Sequence, residues 1–300
     1  MFFQQLINGL TLGGVYAIIA IGYTMVYGIL ELINFAHGEV YMLGAYLGII
    51  ILGFLTAAGL TAVSLPLSLI LTLVLAIAFS SAYGFAMEKV AYRPLRKAPR
   101  LSPFISAIGI SIFLQNFVML TQGATDKVFP YRFGNAGFQV MDLRVTYLQL
   151  AIILISGVMM LGLHLFIGKT RLGTAMRATA QDKTMASLVG INVDTVISAT
   201  FIIGAGMAAV AGLMVASYYG LVNYSIGYVA GIKAFTAAVM GGIGSIPGAM
   251  LGGILLGLIE SLAAAYISSE YKDAYAFVML IVILIIKPSG ILGKSQEEKV

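Results

Sequence analysis

Long apolar runs dominate this chain and decide what it can become. A bilayer core about 30 Å thick takes about 20 apolar residues per helix. Runs near that length fall at 6–28, 40–60, 65–87, 102–121, 147–167, 194–216, 228–241, 247–266 and 275–287. Those at 228–241 and 275–287 are short and read as tilted, broken or longer than drawn. Membrane β-strands would alternate in polarity, whereas these runs are apolar on every side. With 60% hydrophobic and 10% charged residues, little is left from which to build a water-soluble shell. The expectation is an all-α, polytopic helical membrane protein with about 8–9 transmembrane helices, forming one domain over 1–300.

Basic residues set the sidedness. Twelve of the 17 Lys and Arg gather in three places: Lys89, Arg93, Arg96, Lys97 and Arg100; Lys169, Arg171, Arg177 and Lys183; Lys287, Lys294 and Lys299. The positive-inside rule puts all three on the cytoplasmic side. Two runs separate the first cluster from the second and four separate the second from the third; both are even, as a shared side requires. The weak 228–241 segment must count for this to hold. Three runs precede Lys89, which places the N-terminus outside. The loop 122–146 then faces outward with a mixed set: Asp126, Lys127, Arg132, Asp142 and Arg144. The first run lacks a basic flank and is too long for a signal peptide, so it is read as a mature helix. The net charge of +5 is topology, not a nucleic-acid footprint. With no cysteine, disulfides and thiolate metal sites are excluded.

In lipid, helices associate by close packing at small residues. Glycines recur at four-residue spacing in Gly9 and Gly13, Gly44 and Gly48, and Gly253 and Gly257. The longest ladder is Gly244, Gly248 and Gly252, read as one helix face. The surrounding GGIGSIPG reads as a tight turn between two helices or a re-entrant loop. It is not a dinucleotide fingerprint, because Pro247 stands where a glycine is needed. Gly168, Lys169 and Thr170 end like a phosphate loop, but Leu163 replaces its first glycine.

Ionisable groups inside a membrane are costly and worth weighing. Glu31, His37 and Glu39 follow the first run, and Lys233 and Glu260 lie within later ones. The 29–39 stretch reads either as an interfacial loop or as part of a gate or helix contact. Lys233 either snorkels, lines a watery cavity or pairs with a carboxylate such as Glu260. His164 reads as interfacial. No metal cage and no nucleophile–base spacing is visible, so neither catalysis, a cofactor nor a metal is expected.

The loop 169–192, KTRLGTAMRATAQDKTMASLVGIN, is polar between two apolar runs. Residues 177–189 lack Gly and Pro, with Asp182 and Lys183 central. Met185, Leu188 and Val189 fall at helical spacing, which predicts a short amphipathic helix stopped by Gly190. Such a helix can lie on the membrane or enter a groove on a soluble partner. Periodicity leaves both open.

Five stretches carry a family likeness: GYTMVYGILELINFAHGEVYMLGAY at 22–46, AYRPLR at 91–96, SAIGISIFLQN at 106–116, KTMASLVGIN at 183–192 and KAFTAAVMGGIGSIPGAMLGG at 233–253. The chain resembles, nearly end to end, the LivH-type permeases of bacterial high-affinity branched-chain amino-acid ABC importers. The resemblance implies an inner-membrane location, a second related permease subunit, two cytoplasmic ATPase subunits and a periplasmic amino-acid-binding protein, all working in membrane lipid. It makes 169–192 similar to the loop that docks on the ATPases, with Arg177, Ala178, Ala180, Asp182, Gly190, Ile191 and Asn192 at the matching positions. Asn34, His37, Glu39, Lys233 and Glu260 are candidates for the pathway or gate. Urea or short amides in the same transporter class, and an ion-coupled secondary carrier, are the rival readings; a membrane enzyme would need catalytic pairs.

Overall fold

The computed structural model describes residues 1–96, 98–99, 101–134, 136–140 and 143–293. Lys97, Arg100, Asp142, Lys294 and Lys299 lie outside the described residues. The helices are α1 (Phe2–Leu30), α2 (His37–Ala57), α3 (Leu60–Val63), α4 (Leu65–Met87), α5 (Leu101–Gln122), α6 (Tyr147–Lys169), α7 (Arg171–Gln181), α8 (Lys183–Leu188), α9 (Val193–Tyr219), α10 (Ile226–Gly241), α11 (Ile246–Tyr266) and α12 (Lys272–Ile286). A π-helical turn, Glu88–Tyr92, and a 3-10 turn, Arg93–Leu95, prolong α4.

Among the described residues, seven helices are long and apolar enough to cross a membrane: α1, α2, α4, α5, α6, α9 and α11. The two weak runs are helices too, of 16 residues in α10 and 15 in α12. Each expected run therefore corresponds to a helix among the described residues. The bundle is layered around α1 and α9, whose most apolar stretches are 83% and 72% buried, against 17% for α5 and 22% for α4 and α6. The outer helices leave large apolar side chains such as Ile112, Phe113 and Leu154 exposed, as lipid or another subunit demands.

Glycines set the closest contacts. A Cβ on Gly13 would lie 2.8 Å from Ile254 Cα, and one on Gly253 2.3 Å from Ala17 Cα, so α1 and α11 touch backbone to backbone. The opposite face of α11 meets α10: a Cβ on Gly248 would fall 2.4 Å from the Gly241 carbonyl oxygen, and one on Gly252 2.0 Å from that of Ala237. Gly244 departs from the expected ladder. It sits in the turn before α11 at φ +89° with open space around it. Pro247 in the first turn and the Ser245 cap start the helix too late to include it. The GGIGSIPG stretch is thus a tight turn between α10 and α11.

The described members of the three basic clusters share one end of the bundle. Arg93 and Arg96 pair with Asp194 at the start of α9. Ile167, Met176 and Arg177 face Gly244 and Ile246 across a common cavity. Beyond Lys287, Ile291 and Leu292 hydrogen-bond back to Met240 and Gly241. At the opposite end, the Gln4 side chain exchanges hydrogen bonds with the backbone of Arg144, placing the N-terminus beside the 122–146 loop. That loop holds short strands that the sequence reading did not anticipate. β1 (Lys127–Val128) pairs with β4 (Leu221–Val222), and β2 (Gly137–Val140) forms a hairpin with β3 (Leu143–Thr146).

The 31–36 connector packs against the bundle, with Asn34 and Ala36 buried and Glu31 exposed. Glu31 takes a left-handed conformation (φ 58°) that ends α1, and the chain then folds back into the bundle. His37, the first residue of α2, lies under Gly22, where a Cβ would meet its Nε2 at 2.2 Å, and beside Gly204. Gly204 is well inside α9, about 16 Å from that helix's start at about 1.5 Å per residue. α2 therefore begins deep in the protein.

Candidate functional site

At the basic end the 169–192 segment forms an elbow of two helices, not the single helix expected over 177–189. Thr170 caps α7, its hydroxyl accepting from the Gly173 N–H at 3.0 Å. Asp182 breaks the helix: its backbone is extended (φ −157°), and its Oδ1 accepts from the N–H groups of Thr184 at 2.7 Å and Met185 at 2.9 Å. A short acceptor side chain at an N-cap satisfies donors a new helix leaves open. The sequence signal was available, since Asp is a capping residue, but a stretch free of Gly and Pro disguised it. Gly190 (φ +88°) stops α8 as expected. Its N–H reaches the Ser187 carbonyl at 3.1 Å, and that of Ile191 reaches Ala186 at 3.0 Å, a Schellman pattern.

The candidate residues of this loop divide by position. Met185, Leu188 and Val189 are 62%, 75% and 76% exposed and form an apolar tip on α8. Ala180 is exposed, while Ala178 and Ile191 are half-buried against the bundle. Arg177 turns back, donating to the Ile167 carbonyl at the end of α6 and to Thr174 Oγ1 at 3.3 Å. Asn192 caps α9 by accepting from Thr195 N–H at 3.1 Å. Next to it, Asp194 holds Arg93 and Arg96, and Arg96 also pairs with the fully buried Glu88. Glu88 accepts from Ser198 Oγ at 2.7 Å, binding the π-helical turn to α9. The elbow is thus anchored at both ends and bare at its tip. Behind it, a cavity of about 90 Å³ separates α7 from α1 and the α10–α11 turn.

Deeper in, Asn34, His37 and Glu39 are all buried. Asn34 Oδ1 accepts from the Ala36 N–H at 3.1 Å and from Tyr92 Oη at 2.7 Å, fixing the connector to the π-helical turn. The His37 imidazole packs edge-on against Tyr23, with ring centres 4.9 Å apart. Glu39 Oε1 accepts from Ser111 Oγ at 3.1 Å, and its other oxygen abuts Gly227, where a Cβ would come within 2.5 Å.

A third polar site lies toward the opposite end. Lys233 does not snorkel; its ammonium is buried and donates to Glu260 Oε1 at 2.7 Å and Tyr16 Oη at 3.4 Å. Asp273 Oδ1 is 2.6 Å away. Asp273 was missed because it opens a short apolar helix, where a charge reads as a boundary. These groups line a cavity of about 140 Å³ with Tyr41, Tyr219 and apolar side chains. The structure therefore brings Lys233 and Glu260 together, and keeps them apart from Asn34, His37 and Glu39.

Among the described residues, nine apolar helices with a polar elbow at one end define a multi-pass helical membrane scaffold. The sequence model of the family described as "Branched-chain amino acid transport system / permease component" matches residues 5–284. The chain is 52% identical, over its whole length and 98% of the relative, to the high-affinity branched-chain amino acid transport system permease protein BraD of Pseudomonas aeruginosa. It is likewise 52% identical, with the same coverage, to the permease protein LivH of Escherichia coli K12. The chain belongs to this family of permease components.

Proposed function

We propose that this chain is the membrane-spanning subunit of a bacterial inner-membrane ABC importer for Leu, Ile and Val. In this reading a second, related permease completes the pathway and two ATPase subunits dock on the elbow from the cytoplasm. A periplasmic binding protein delivers the amino acid at the opposite end. The observation that carries the docking is the bare apolar tip: Met185, Leu188 and Val189 stand in solvent on a helix capped at both ends. Exposed apolar side chains on a rigid element are the usual anchor of a helix-in-groove contact. The anchored ends explain how a push would travel. Only Thr170 separates α6 from α7, and α9 follows α8 and is clamped to the π-helical turn. Transport then requires that ATP binding favour one of two arrangements of these elements by a differential free energy.

The test is isolation of the tagged chain from native membranes, followed by an ATPase assay. Two ATPase subunits and a second permease should co-purify, with hydrolysis that the loaded binding protein stimulates. A chain that purifies alone and accumulates leucine in vesicles without nucleotide would overturn the reading.

A further inference from the structure

The geometry points to a receiving site for the α-ammonium group of the incoming amino acid, made by Glu260 and Asp273 in the cavity near the outer end. This rests on the permease reading and names the chemistry of one step within it. Lys233 is already ringed by three oxygens: Glu260 Oε1 at 2.7 Å, Asp273 Oδ1 at 2.6 Å and Tyr16 Oη at 3.4 Å. An ammonium has three donors: Lys233 makes hydrogen bonds to Glu260 and Tyr16, and its remaining side faces the Asp273 carboxylate as an ion pair, so a substrate carboxylate would have to displace Asp273. Glu260 is in the opposite position. Its Oε2 is buried in the cavity wall and makes no hydrogen bond. A buried carboxylate oxygen without a donor is expensive and calls for a partner.

Charge agrees with this. Inside the buried cluster one cation faces two carboxylates, while the second lysine of the cavity wall, Lys272, is exposed to solvent. Exposure gives an order of entry: the Asp273 side chain is 49% exposed and that of Glu260 5%. A primary ammonium would meet Asp273 first and reach Glu260 Oε2 after it. The remaining wall suits a branched aliphatic chain, with Leu12, Val215, Ile226 and Val229 lining the same cavity. A volume of about 140 Å³ is comparable to engineered apolar cavities of about 150 Å³ that hold a benzene ring, a six-carbon body like that of leucine. Lys272 lies at the mouth, outside the buried cluster, where a carboxylate would trail.

The experiment is equilibrium binding of radiolabelled leucine to the complex isolated with this chain, stripped of any binding protein and held in nanodiscs. The competitors are 3-methylbutylamine, which keeps only the ammonium, and 4-methylpentanoate, which keeps only the carboxylate. The amine should displace leucine at least tenfold more effectively than the acid. Glu260→Gln should weaken leucine binding at least tenfold, and Asp273→Asn at least threefold. Should Glu260→Gln fail to fold, the double variant Lys233→Met/Glu260→Leu replaces the buried pair by apolar groups and should still lose leucine binding. Equal or better displacement by the acid, unchanged binding in these variants, or no leucine binding to the wild-type complex at millimolar concentration would each overturn the site. Leucine uptake by the same wild-type complex with ATP and binding protein reports separately on the permease reading. Uptake without ammonium-selective binding removes only this inference.

Discussion

The carboxylate of Asp182 holds the backbone N–H of Met185 at 2.9 Å, and that contact divides the elbow into two helices. Without it the chain from Arg171 to Leu188 has no reason to bend where it does, and the apolar tip would point elsewhere. Local capping chemistry here sets the direction of a surface that the permease reading uses for docking.

Asp182→Ala should therefore loosen α8 by about 1 kcal/mol, the usual cost of losing an N-cap, while Asp182→Asn should keep most of it. Membrane insertion should be unaffected in both. Hydrogen exchange across 182–190 checks this: faster exchange in the alanine variant alone supports the cap, and equal exchange in both contradicts it.

The buried Lys233–Glu260 pair, toward the end opposite the elbow, should behave as a pair. Lys233→Met alone strands Glu260 and should cost about 3–5 kcal/mol, whereas Lys233→Met with Glu260→Leu should recover most of that. Thermal unfolding of the purified chain in detergent reads the difference. Equal losses in the single and double variants would mean that the two charges do not compensate each other.

Close approach of α10 and α11 depends on Gly252. A Cβ there would lie 2.0 Å from the Ala237 carbonyl oxygen, so Gly252→Ala should destabilise by roughly 1–3 kcal/mol through overpacking. Gly157, on α6, has nothing within 4 Å; Gly157→Ala should be neutral or stabilise by about 0.5–1 kcal/mol. Thermal midpoints in the opposite order would refute the packing assignment.

The bundle was legible because apolar length and charge parity are both strong signals. Length alone located α1, α2, α4, α5, α6, α9 and α11, and parity rescued the short α10. Uniformly apolar helices carry no stripe to say which face is inside. The sequence therefore did not disclose that α1 and α9 are central, or that His37 starts α2 deep beside Gly204. The ladder through Gly244 failed for a related reason: spacing does not say where a helix begins, and Ser245 and Pro247 do. At the candidate sites, Lys233 and Glu260 stood out as charges among apolar residues, and their pairing was one of three readings. Asp273 was hidden because it sits at a helix start, where a charged residue is unremarkable, and the Asp182 break because no Gly or Pro marks it.

The chain contains no cysteine, so a single introduced one is the only thiol available for mapping. Leu188→Cys at the elbow tip and Phe138→Cys on the hairpin at the other end are both exposed positions. In intact membranes, a short thiol–amine cross-linker should join Leu188→Cys to an ATPase subunit and leave Phe138→Cys unjoined. A membrane-impermeant maleimide added from the periplasmic side should label only Phe138→Cys. Labelling of Leu188→Cys from outside, or its failure to reach an ATPase subunit, contradicts the account.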